Sequence, residues 1–115
     1  MDNFFEGLKN IAITVCDKDG QIIDMNQRSA DVNSKGVKII GNDLFACHPP
    51  KAQEIIRDLM ANGKVNAYTI EKNGIKKLIY QTPWYDQNNE LAGLVEFSLE
   101  IPFEMPHYIR TPKTE

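Results

Sequence analysis

The spacing of hydrophobic and polar residues changes several times along the chain, and each change marks an element. Phe4, Phe5 and Leu8 recur at helical spacing, which predicts a short amphipathic helix over residues 3–9. Ile11, Ile13 and Val15 then alternate with Ala12, Thr14 and Cys16, the two-residue period of a strand. Asp17-Lys18-Asp19-Gly20 supplies a hairpin turn, and Gln21 to Met25 reads as the returning strand. Asn26 suits an N-cap, because its side-chain oxygen can accept from an N–H of the first turn. It opens a short helix from Gln27 to Asn33. Ser34 to Asn42 is weakly patterned and punctuated by Gly36 and Gly41, and Asp43 caps a single turn through Leu44 and Phe45.

A longer helix follows the run Cys47-His48-Pro49-Pro50. Its apolar set, Ala52, Ile55, Ile56, Leu59 and Met60, makes one face, and Asn62-Gly63 stops it. Proline fits a first helical turn, and the residue before it is pushed out of the α region, so His48 is expected at the N-cap. Three strands close the pattern: Val65 to Glu71, Ile75 to Tyr85 and Leu91 to Ile101. Asn73-Gly74 is a two-residue hairpin signal. Pro83 removes a ladder donor and predicts a bulge or an edge. In the last strand Gly93, Val95, Phe97 and Leu99 share one face, while Glu96, Ser98 and Glu100 share the other. Strands segregated from helices predict an α+β domain with an antiparallel sheet and the helices, several short and one longer, packed on one face.

Composition narrows the function classes. The chain has 115 residues, enough for one core without disulfides or metal. The net charge is −3 with the two signs interleaved, which argues against a nucleic-acid partner. No apolar run approaches the ~20 residues of a membrane span, so no membrane partner is expected. The N-terminus lacks a basic region followed by an apolar run, and two cysteines are too few for a disulfide scaffold. The cytoplasm is therefore the expected location.

The order of these motifs resembles a PAS domain. The residues that carry the resemblance are Val15 through Ile22, Asn26 through Ala30, Gly41-Asn42-Asp43-Leu44-Phe45, Pro83-Trp84-Tyr85-Asp86 and Leu91 through Val95. Ala46-Cys47-His48-Pro49-Pro50-Lys51 is also similar to PAS domains attached to hemerythrin-like modules. The resemblance implies that all five strands join in one five-stranded antiparallel sheet, and it implies three segments: an N-terminal helix over 1–10, a PAS-like domain over 11–101, and a proline-containing tail over 102–115. It also implies a cavity between the sheet and the long helix that holds haem, flavin, a small metabolite or nothing. Ile101-Pro102-Phe103-Glu104-Met105-Pro106-His107 replaces the family's usual acidic-polar exit, so signalling to an effector protein in trans is the expectation.

On this reading the chain is a non-enzymatic sensory or protein-interaction module. Its expected partners are a small apolar or metabolite ligand and a second copy of the chain. Phe45, His48, Ile56, Met60, Tyr80 and Phe97 are the candidate ligand-binding residues, with Tyr68, Tyr80 or Thr82 as the polar contact. A one-residue slip of register would reverse which side each strand residue faces. No cofactor is specified by the residues. A haem- or redox-linked sensor using His48 or Cys47 is the alternative, and a dimerisation module without ligand is a third reading. Cys16, Cys47, His48 and His107 lack the paired spacing of a structural metal site, so none is expected. Phe4, Phe5 and Leu8 have little domain to bury against and mark a candidate dimer surface.

Overall fold

The computed structural model describes residues 1–112, with all side chains in that span except that of Cys47. Five strands form one antiparallel sheet: β1 (Ile11–Asp17), β2 (Ile22–Met25), β3 (Asn66–Lys72), β4 (Ile75–Tyr85) and β5 (Leu91–Ile101), in the order β2-β1-β5-β4-β3. The helices are α1 (Asn3–Glu6), α2 (Gln27–Asn33) and α3 (Pro50–Asn62), with a 3-10 turn at Phe45–Cys47. No helix among the described residues is long and apolar enough to cross a membrane. Residues 113–115 of the predicted tail lie outside the described part.

Strand alternation gives the sheet two unlike faces. Ala12, Thr14 and Cys16 of β1 point to the helical side, where small side chains let α2 approach closely. Ser29 and Ala30 of α2 are fully buried there. A bulge at Val15/Cys16 sets Val15 opposite Asp24 and Cys16 opposite Ile22. This brings both Ile22 and Met25 into the core although they are three residues apart. The core on this side gathers Cys16, Ile22, Met25, Leu44, Phe45, Ile56 and Leu94. The other face carries Ile13, Val15 and Phe97 beside Phe5 of the N-terminal helix. Pro83 lies past Gln81, where pairing with β3 has ended, and the ladder with β5 shifts at Trp84/Tyr85.

Two glycines permit close approaches. Gly20, at φ 85°, lies on the Phe45 ring, and a Cβ there would come within 2.2 Å of it. A Cβ on Gly93 would lie 1.9 Å from the Cys16 carbonyl oxygen, which is also where Trp84 Nε1 donates, at 3.0 Å.

Helix α3 begins one residue later than expected. Pro49 is its N-cap (φ −65°, ψ 158°), and His48 precedes it in extended conformation (φ −121°, ψ 144°). The physical reason is the double proline. Pro50 keeps Pro49 out of the α region just as Pro49 keeps His48 out, so the helix can start only at Pro50.

Asn26 joins these parts. It is 0% exposed. Its Oδ1 accepts from Ile13 N and Ser29 N, both at 3.0 Å, and its Nδ2 donates to Phe5 O and Ile11 O, both at 2.9 Å. Replacing Asn26 with Ala leaves buried donors and acceptors without partners and removes the α2 cap. Urea unfolding of Asn26→Ala is expected to show a loss of about 3 kcal/mol. A stability equal to that of the parent protein would contradict this account.

Candidate functional site

The inner face of the sheet is crossed by a polar row. Thr14 on β1 pairs with Glu96 on β5, Glu96 with Gln81 on β4, and Gln81 with Asn66 on β3. Asn66 Nδ2 donates to Gln81 Oε1 at 2.9 Å, and Gln81 Nε2 donates to Glu96 Oε2 at 2.7 Å. A carboxylate only accepts, so Glu96 fixes which way the Gln81 amide points. At the opposite end Thr14 Oγ1 and Ser29 Oγ are 2.5 Å apart, and Asn33 Nδ2 donates to Ser29 Oγ at 3.3 Å. Thr14 and Gln81 are buried, and Glu96 is half-buried. Polar groups are costly beneath a helical layer unless satisfied, and this row satisfies itself almost entirely from within.

Two recesses adjoin the row. One, of about 220 Å³, lies between it and α2, with Met25, Ile39 and Leu44 among its walls. The other, of about 190 Å³, lies under the start of α3, walled by Ile55, Ile56 and Tyr68. His48 and Glu96 line both. Each volume falls below the roughly 300 Å³ at which drug-sized pockets begin, which suits a small metabolite.

The turn before α3 sets the position of His48. Gln53 Nε2 donates to Phe45 O at 2.7 Å and to His48 O at 2.8 Å, tying the 3-10 turn to the helix. His48 Nδ1 is 2.8 Å from Leu44 O. A carbonyl cannot donate, so Nδ1 carries a hydrogen, and in the neutral tautomer that this selects, Nε2 is the acceptor.

Two titratable groups near the row are perturbed. Burial pushes the Tyr68 phenol up, and the charge of Glu96 adds to the rise. Burial also raises the Cys16 thiol. A backbone hydrogen bond at Leu94 opposes that rise, and Asp17 and Glu96 reinforce it, so Cys16 is held as a neutral packing residue. Among the described residues no set of three or more His, Cys, Asp or Glu gathers as metal ligands would.

The candidate residues divide three ways. His48 and Ile56 stand at the recesses. Phe45 and Met60 are core residues that border a separate shallow groove beside Lys18 and Asp19, with the Arg57 guanidinium 4.2 Å from the centre of the Phe45 ring. Tyr80 and Phe97 pair with each other across β4 and β5, one step out of phase with Gln81 and Glu96. They therefore occupy the sheet face away from α3 and do not line these recesses. Cys47 falls on a side chain outside the described part. Glu96, Gln81, Thr14 and Asn66 went unrecognised because a Glu alternating with Val95 and Phe97 reads as the solvent side of a strand. The signal that could have found them is their alignment in one cross-strand row.

A PAS-domain family model matches residues 1–102. Comparison with curated proteins finds no match. Among solved structures, the fold is similar to the PAS domain of the histidine kinase ThkA, with 18% identity and a TM-score of 0.64, covering 78% of this chain and 98% of that one. It is similar to VqmA bound to DPO, with 18% identity and a TM-score of 0.66, covering 85% of this chain and 55% of that one. It is also similar to the Aer2 receptor of Vibrio cholerae, described as a dual PAS-heme oxygen sensor. That match has 16% identity and a TM-score of 0.58, covering 80% of this chain and 95% of that one.

The polar row makes a prediction about Tyr68. Removing the Glu96 charge in Glu96→Gln should lower the Tyr68 pKa while leaving it above the ordinary tyrosine value, because burial remains. An NMR pH titration of the Tyr68 ring measures this. An unchanged or higher value would show that Glu96 does not act on that phenol.

Proposed function

Because this chain belongs to the PAS domain family, typically sensory or interaction modules, we propose that it is a non-enzymatic sensor that holds a small metabolite between its sheet and α3. The observation that carries this reading is the pair of recesses that share His48 and Glu96 as wall residues. A sheet face covered by helices is normally filled with apolar side chains. Here the face bears hydroxyl, amide, carboxylate and imidazole groups beside open volume, the composition of a site that orients a ligand.

Occupancy has a structural route outward. A ligand in the recesses touches β5 and the α3 entry together, and β5 carries Val95 and Phe97 on the open face. That face lies beside the exposed rings of Phe4 and Phe5, with Phe4 68% exposed. We read it as the surface for a second copy of the chain, and a partner acting in trans would take the signal from there. The buried free thiol of Cys16 is consistent with a reducing, cytoplasmic location.

The haem alternative has weaker support. His48 has the tautomer of a metal ligand, with Nδ1–H on a carbonyl. A porphyrin, however, is a broad flat ring that needs an apolar slot. Each recess here is small and bordered by the Glu96 carboxylate. These residues do not fit haem.

Mass spectrometry of the supernatant after denaturing purified protein is expected to show a released small molecule, with no haem absorbance in the native spectrum. Adding that molecule back at a hundredfold excess over its Kd should stabilise the fold by about 2.7 kcal/mol, seen as a higher Tm. A Soret band lost in His48→Ala would support the haem alternative instead. An unchanged Tm with every released compound would remove the ligand reading. Light scattering should report a dimer that Phe5→Asp dissociates, and a monomer at tens of micromolar would remove the second-copy reading.

A further inference from the structure

The chemistry facing the recesses restricts what they can hold. Glu96 accepts one hydrogen bond, through Oε2 from Gln81. Among the described residues its carboxylate has no Lys, Arg or His nitrogen within ion-pair distance, because the ion pairs there join Met1 to Asp24, Lys38 to Glu6 and Lys64 to Asp58. A half-buried carboxylate in that position presents negative charge to the cavity with nothing opposing it. Across the same space stands His48. Its Nδ1–H is committed to Leu44 O, so in the neutral ring Nε2 is the nitrogen that accepts. The Gln81 amide puts one N–H on Glu96 Oε2 and its oxygen on Asn66, so it supplies the carboxylate with a neutral donor and no charge, and leaves Oε1 without a hydrogen-bond partner among the described residues. Two groups that line both recesses are therefore acceptors, and one of them is charged.

We infer that the cavity selects a small ligand that carries N–H donors and positive charge, of the amidine or protonated amino-heterocycle class. One donor edge would lie on Glu96 Oε1 and another on His48 Nε2, with the flat body of the ligand against Ile56 in the recess under α3. A planar fork of N–H groups matches a carboxylate better than a single ammonium does, and a charge-assisted bond in a partly dry site is the stronger kind. An anionic ligand would meet Glu96 without a cation to screen it. This inference rests on the sensor reading above and goes beyond it by fixing the charge and the donor pattern of the ligand.

The test uses matched probes of similar size. Benzamidine and aminopyridine are titrated against benzoate and picolinate, followed by backbone amide NMR of the full chain. The cationic pair should shift the amides around His48, Gln81 and Glu96, and should bind at least about tenfold more tightly than the carboxylates. Glu96→Gln keeps the shape and an acceptor for Gln81 and should lose that preference, with its fold checked by thermal melting. Equal or tighter binding of the carboxylates at the same amides would overturn the inference and leave the sensor reading standing. So would an amidine affinity unchanged in Glu96→Gln. If neither probe set moves a cavity amide, the inference falls, while the sensor reading stands or falls by the released molecule and its effect on Tm.

Discussion

The four hydrogen bonds of Asn26 are the constraint on which the rest of this structure depends. One amide satisfies the carbonyls of Phe5 and Ile11 and the N–H groups of Ile13 and Ser29, so it holds the chain before β1, β1 itself and the start of α2 in one place. All of its bonding capacity is used in a site closed to water, where any unmatched partner carries its full desolvation cost. With α2 pinned at its N-terminus, Ser29 falls on Thr14, and Thr14 is the first member of the row that reaches Glu96. The cap of a seven-residue helix and the chemistry of the cavity are linked through these two side chains.

The core is gathered toward one end of the helical face. Cys16, Ile22, Leu94, Phe45 and Ile56 pack where Gly20 and Gly93 allow close approach, and Trp84 closes the sheet by bonding the Cys16 carbonyl. At Thr14, Glu96, Gln81 and Asn66 the inner face is crossed by polar side chains, and the recesses open beside them. Apolar side chains in place of the row would bury more area and fill the space. Hydroxyls and amides that bond one another keep the row ordered while leaving volume beside it, which is what a site for a small ligand requires.

Much of the fold was legible because its signals are local. The Asn26 cap, the Asp17–Gly20 turn, the Asn73-Gly74 hairpin and the apolar face of α3 each depend on residues a few positions apart. The cap of α3 was misplaced by one residue because two consecutive prolines restrict two residues, and the simple rule considers one. In the site, His48 and Ile56 stand at the recesses, whereas Tyr80 and Phe97 lie across the sheet from them. Hydrophobicity was a poor guide to the inward side here. The apolar set of β5 packs on the open face near Phe5, and its polar set turns in toward the helices.

The sequence by itself determined the elements, their order and the antiparallel α+β class, since periodicity, caps and turns are set by neighbouring residues. Only the tertiary structure decided which face of each strand meets α3, and with it the alignment of Thr14, Glu96, Gln81 and Asn66 and their meeting with His48. Those residues come from four strands and a turn. Nothing short of the strand register places them together, because one residue of slip would send every member of the row to the opposite side.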